Sequence, residues 1–341
     1  MLLLQERLDL LTQLGERLRQ PDAYRDAVMK RAEFNNGWLT LANQQAMMDS
    51  IATQMLDPQA LRTWVSQYDL PPLPEHQRTV GIVMAGNLPL VGFHDWLCVF
   101  VAGHRAQIKL SDKDKYLLPY VFKVLNAINP HFSEYYQLVE KLADFDAVIA
   151  TGSNNSARYF EAYFGKYPHI IRKNRTAVAV LTGAETTEEL QRLGEDVFRY
   201  FGLGCRNVSK LYLPEGYALD PLLEALHTHR EIVIHSKYKN NFDYNFAVRT
   251  LNKAPFRANG CVMLIENEAL HAGVATLHYE FYADLQYLEN HLIAVRDDIQ
   301  VVVSHLEIPG LRVVPFGKAQ KPELDDYADG VDTVAFLRQL N

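Results

Sequence analysis

Between residues 2 and 19, leucines at 4, 8, 11, 14 and 18 recur at intervals of three and four, with Glu6, Arg7, Asp9, Glu16 and Arg17 placed among them. One apolar stripe flanked by charge predicts an amphipathic helix. Helical character continues to about Tyr68. The cluster Pro71-Pro72-Leu73-Pro74 then stops it, because proline fixes φ and disfavours helix in the residue before it. Beyond this point the pattern changes to short continuous apolar runs. Val80 to Ala85 is closed by Gly86-Asn87, and Ala106 to Leu110 is closed by Ser111-Asp112. Both read as buried parallel strands. An apolar stretch of helical length, from about Gly92 to Gly103, lies between them, so a right-handed strand–helix–strand crossover is expected.

The alternation continues with a helix from about Pro119 to Ile128 and a strand from Ala147 to Ala150. The turn Thr151-Gly152-Ser153-Asn154-Asn155 leads into a helix through Arg158 and Phe164. A strand from Ala177 to Leu181 and a helix from Thr187 to Tyr200 follow. Such a series predicts an α/β fold with a doubly wound parallel sheet. After Cys205, the segments Lys210 to Leu213, Glu231 to Ile234, Val262 to Ile265 and Gln300 to Val303 read as strands. Asp220 to Leu226 and Phe281 to His291 read as helices, and the amide-rich Tyr238 to Asn245 reads as a loop. The expected organisation is therefore an N-terminal helical segment (1–70), a parallel-sheet domain (71–200), a second α/β domain carrying Cys205 (201–315) and a C-terminal segment (316–341). A cleft between two lobes is the expected ligand site.

With 341 residues, 48% of them hydrophobic, the chain exceeds the size at which one core stops growing, which supports two lobes. Its 34 basic and 41 acidic residues give a net charge of −7, with no concentrated basic footprint for nucleic acid. The longest apolar run, Trp96 to Gly103, is far short of a membrane span, and the charged start is unlike a signal peptide. Three cysteines lie far apart, without disulfide or zinc spacing, as suits a reducing cytoplasm.

Cys205 has the most informative surroundings. It follows Phe201-Gly202-Leu203-Gly204 and precedes Arg206-Asn207, so glycines allow close approach of the backbone and a cation favours thiolate. Cys98 sits among Trp96, Leu97, Val99 and Phe100 as a core residue would, and Cys261 lacks the glycine and arginine setting. Asn87 places an amide donor at the carboxyl edge of the first strand, suited to an oxyanion. Ser153 reads as an N-cap, so the Thr151-Gly152-Ser153 turn presents free N–H groups to a phosphate. The Gly-x-Gly-x-x-Gly fingerprint is absent. His94-Asp95 resembles an acid/base pair, but neighbours on a helix point in different directions. His227 and His229 read as surface residues rather than metal ligands.

In combination and in order, these segments resemble the aldehyde dehydrogenases. Gly86-Asn87-Leu88-Pro89 and Ile108-Lys109-Leu110-Ser111 are similar to that family's asparagine and lysine motifs, and Thr151-Gly152-Ser153 to its cofactor turn. Gly202-Leu203-Gly204-Cys205 is similar to the nucleophile motif, with leucine replacing glutamine. Pro315-Phe316-Gly317 is similar to a late family motif. Asp326 to Thr333 resembles the tail of the acyl-CoA reductases related to the bacterial bioluminescence fatty-acid reductase.

The resemblance implies a nicotinamide dinucleotide-binding domain at 71–200 and a covalent mechanism at Cys205, with Asn87 and the Cys205 N–H holding the oxyanion. Lys109 would bind the adenosine ribose, and Ser111, with Lys113, would favour the 2′-phosphate of NADPH. Asp112 opposes that phosphate and leaves NADH open. Hydrolytic members carry a glutamate base before the strand at Ala177, whereas residues 162 to 184 here contain no Asp or Glu. That departure favours reduction of an acyl-CoA or acyl-protein thioester, with an acyl-activating synthetase as a partner. Aldehyde oxidation and a catalytically idle acyl-binding or scaffold protein are the rival readings.

Overall fold

The computed structural model describes residues 1–340 and divides into two compact units, residues 1–174 with 323–340 and residues 175–322. The first begins with four helices, α1 (Leu4–Arg19), α2 (Ala23–Asn35), α3 (Leu41–Ser50) and α4 (Pro58–Val65). The leucine stripe of α1 is its buried face, as the spacing predicts.

Strands β1 (Thr79–Val83) and β2 (Arg105–Lys109) flank α5 (Phe93–Val101), and α6 (Leu117–Ile128), β3 (Tyr136–Leu138), β4 (Ala147–Thr151), α7 (Asn154–Phe164) and β5 (His169–Arg172) complete the series. The sheet runs β3-β2-β1-β4-β5 with every pair parallel. The chain leaves β1 in one direction to build β2 and β3, then crosses back to build β4 and β5. The carboxyl ends of β1 and β4 therefore bound the point where the winding reverses, which is where open parallel sheets take ligands.

The second unit contains β6 (Thr176–Val180), α8 (Thr187–Phe198), β7 (Val208–Pro214), α9 (Leu219–His227), α10 (Ser236–Leu251), β8 (Arg257–Ala258), β9 (Met263–Glu266), β10 (Thr276–Tyr282), α11 (Leu285–Ala294), β11 (Ile299–Val303) and β12 (Val313–Val314). Its sheet runs β12-β11-β6-β7-β10-β9-β8, parallel except for β8. Among the described residues no helix is long and apolar enough to cross a membrane.

Three expectations are corrected. Glu231 to Ile234 is not a strand but part of a 3-10 turn, and Ile234 is 80% exposed. Three apolar residues after Glu231 have no fixed period, and here the chain turns into α10 at once. Tyr238 to Asn245 is not a loop but lies within α10, because Tyr238 and Phe242, one turn apart, are buried and the Tyr238 hydroxyl donates to the Cys261 carbonyl at 2.8 Å. Tertiary packing overrides the weak helix preference of its amides and rings. Phe281 belongs to β10, so the helix that follows starts at Leu285.

The chain closes with α12 (Thr333–Arg338), which packs in the core of the first unit. Tyr327 and Asp332 of the tail motif are tied to the N-terminal helices. Tyr327 accepts from the Trp64 indole at 2.8 Å, and Tyr68 donates to Asp332 at 2.8 Å. Thr333 accepts from Arg172 at 3.0 Å, and Arg172 grips Asp95 through both carboxylate oxygens at 2.5 Å. His94 instead bonds the Leu324 carbonyl at 2.9 Å, so His94 and Asp95 do not act as a pair.

Candidate active site

In the first unit, the turns that follow β1, β2 and β4 all leave the same carboxyl edge, which brings Asn87, Lys109, Ser111 and the 151–153 turn to one side of the sheet. Asn87 is exposed between the buried Gly86 and Leu88. A Cβ on Gly86 would lie 2.6 Å from the Ser111 hydroxyl; glycine is what lets the Asn87 turn pack against the turn after Lys109. Asp114 ties the same two turns together, its carboxylate accepting the Leu90 N–H at 2.7 Å. Leu90 has a left-handed φ of 52°, a conformation that needs such support. Burial pushes the Asp114 carboxyl up to about 6. From the N-terminal segment, Asn35 and Asn36 donate to the carbonyls of Asp112 and Lys113 at 3.0 and 3.3 Å.

Ser153 caps α7, its hydroxyl accepting the Ser156 N–H at 3.2 Å, as its position in the sequence predicts. The positive end of the α7 dipole thus faces the 151–153 turn. Along the second half of α7 lies a cavity of about 440 Å³ lined by Lys109, Phe145, Tyr159, Phe160, Tyr163 and Tyr167, among others. Tyr159 and Tyr163 are 60% and 71% exposed. Flat aromatic walls beside the Lys109 ammonium suit a planar ring system that carries negative charge. These aromatic residues were missed from the sequence, although Tyr159-Phe160-Glu161-Ala162-Tyr163-Phe164 directly after the glycine turn carried the signal.

In the second unit, Cys205 is exposed on the turn that leads into β7. Cys98 and Cys261 are fully buried. Burial pushes the Cys98 thiol far up and the Cys261 thiol to about 11. The chain reaches Cys205 through three consecutive left-handed residues, Tyr200, Phe201 and Gly202, with φ of 52°, 61° and 74°. Glycine carries such a φ freely, whereas each of the other two costs about 1–3 kcal/mol, strain of a kind concentrated at functional turns.

Two buried polar residues brace this turn. Asn207, 2% exposed, accepts the Gly204 N–H at 2.8 Å and donates to the Arg199 carbonyl at 2.8 Å. Asp196, fully buried, accepts the N–H groups of Gly317 and Ala319 at 2.6 and 2.9 Å. Burial pushes the Asp196 carboxyl up to about 7, against the pull of those two donors. The Arg206 guanidinium donates to the Ala319 carbonyl at 3.2 Å, so this side chain joins the thiol turn to the Pro315-Phe316-Gly317 loop. Neither Asn207 nor Asp196 stands out in the sequence, since their partners are backbone groups.

A second cavity, of about 500 Å³, opens near the carboxyl end of β7, the end away from Cys205. Glu280 lines it and pairs at 2.5 Å with the buried Lys210 ammonium, which also donates to the Asn267 carbonyl.

This architecture, a parallel-sheet domain with a second α/β domain that presents a thiol, is the aldehyde dehydrogenase fold. No family model matches the chain, and no curated protein matches its sequence. Among solved structures it is similar to an oxidoreductase from Marinobacter aquaeolei, with TM-score 0.67, 13% identity, and coverage of 94% of this chain and 79% of the other. It is also similar to the NAD+ complex of an aldehyde dehydrogenase from Bacillus cereus, with TM-score 0.62, 12% identity, and coverage of 88% and 71%. A double mutant of betaine aldehyde dehydrogenase from Staphylococcus aureus, also in complex with NAD+, matches with TM-score 0.63, 13% identity, and coverage of 94% and 73%.

Proposed function

We propose that the protein is a nicotinamide-dependent oxidoreductase that reduces an acyl thioester, a fatty acyl-CoA or acyl-protein, to the aldehyde through a covalent intermediate on Cys205. The observation that carries this reading is the contrast among the thiols: of the three cysteines, only Cys205 is exposed, and a strained, braced turn presents it.

Cys205 thiolate attacks the thioester carbonyl, forming the new C–S bond as the tetrahedral oxyanion develops. The Asn87 amide and the Cys205 backbone N–H are the donors assigned to that oxyanion. Collapse expels the substrate's own thiolate and leaves the acyl group on Cys205, with no water to activate. The 162–184 segment, free of Asp and Glu, is consistent with a site that need not deprotonate water. The dinucleotide fits the first unit, where Lys109, Ser111 and the turn Thr151, Gly152 and Ser153 would hold its ribose and phosphates against the aromatic cavity. When bound, it supplies the hydride that reduces the Cys205 thioester, with NADPH favoured and Asp112 leaving NADH usable.

The test is incubation with a radiolabelled acyl-CoA in the absence of reduced nicotinamide. Wild-type protein should retain one acyl group, Cys205→Ala none, and added NADPH should release the label as aldehyde. An unlabelled wild type, or equal labelling of Cys205→Ala, would reject the covalent mechanism.

A further inference from the structure

We propose that Asn207 and Asp196 are positioning residues that hold the Cys205 turn in its reactive geometry, an inference that rests on the thiol chemistry proposed above. The two close a ring of hydrogen bonds around that turn within the second unit. On one side, Asn207 bonds Gly204 twice: its side-chain oxygen accepts the Gly204 N–H at 2.8 Å, and its backbone N–H donates to the Gly204 carbonyl at 3.1 Å. The same side chain donates to the carbonyls of Arg199, Asp196 and Val197 at 2.8, 3.1 and 3.3 Å. Those carbonyls belong to the last turn of α8, where a helix runs out of internal donors. On the other side, the Asp196 carboxylate fixes Gly317 and Ala319, and the Ala319 carbonyl accepts from Arg206. The thiol is therefore clamped through its neighbours, Gly204 before it and Arg206 after it.

Neither residue needs to touch the substrate. Their effect is to keep the three left-handed residues that precede Gly204 from relaxing, and so to hold the Cys205 N–H and thiol in fixed directions. Acyl transfer depends on those directions, because the oxyanion must meet its donor as the thiolate attacks. Alkylation by iodoacetamide, which develops no oxyanion, depends only on thiolate and access.

The two reactions separate positioning from general support of the fold. With Asn207→Ala, acylation of Cys205 by acyl-CoA should slow by about 100-fold, while alkylation by iodoacetamide should change by less than about threefold. Backbone hydrogen exchange of the 199–206 segment, read by mass spectrometry without any substrate, should be slow in the wild type and faster in the variant. Asp196→Asn leaves every Asn207 bond to Gly204 in place and removes one acceptor from the other side of the ring. It should shift acylation and exchange in the same direction by less, and it carries the test if Asn207→Ala fails to fold. Equal loss of acylation and alkylation, or unchanged exchange, would overturn the inference. Absence of acylation in the wild type would instead sink the thiol chemistry and leave the exchange measurement to decide the ring.

Discussion

Cys205 and Asp114 show how much one residue's surroundings settle. The glycines and the arginine near Cys205 suggested a reactive thiol, yet its exposure and the left-handed approach through Tyr200 and Phe201 come from the folded chain. Arg206 was expected to favour thiolate; the contact it makes with the Ala319 carbonyl gives it a bracing role as well. Asp114 is a buried carboxyl whose proton affinity is raised to about 6 by desolvation, even though it accepts the Leu90 N–H. Its folded-state value exceeds the unfolded one, so its stabilising contribution is complete below about pH 4 and is lost as pH rises through 6. Asp114→Asn should therefore flatten the stability profile between pH 4 and 6, a span worth roughly 3 kcal/mol for two pH units. Urea unfolding at several pH values checks this, and a variant with the wild-type slope would discount Asp114 as its source.

At the scale of elements, the apolar pattern located most helices and strands, because α1 commits one face to the core and the central strands are buried on both. α1, β1, α5, β2, β4, α7 and α8 all fall close to their expected positions. The misplaced segments are those whose local pattern was ambiguous. Glu231 to Ile234 offered four residues of strand-like composition, and α10 is a helix because Tyr238 and Phe242 are buried, not because its sequence favours helix. Helix α5 is held to β5 by the buried Asp95–Arg172 pair. Removing one partner of such a pair strands the other charge, so Asp95→Ala should cost about 3–5 kcal/mol in urea denaturation. A loss below about 1 kcal/mol would be the behaviour of an exposed pair, and would mean that water reaches Arg172.

At the scale of the whole molecule, residues 323–340 return to the first unit, where Val334 and Leu337 are fully buried beside α5. Deleting everything after Pro322 uncovers that surface and removes Tyr327 and Asp332, the hydrogen-bond partners of Trp64 and Tyr68, and Thr333, which accepts from Arg172. The truncated chain should lose its cooperative thermal transition or melt well below the full-length protein, whereas an unchanged melting curve would make the tail dispensable. The sequence alone determined the α/β class, the parallel strands and the order of Asn87, Lys109, the 151–153 turn and Cys205, because burial imposes periodicity and turns demand particular residues. Tertiary structure alone decided that the tail completes the first unit, that the rings of α7 line a cavity and that Asn207 and Asp196 brace the thiol turn. Those features depend on contacts between residues far apart in the chain, several of them with backbone groups that are the same in every residue and leave no mark on the sequence.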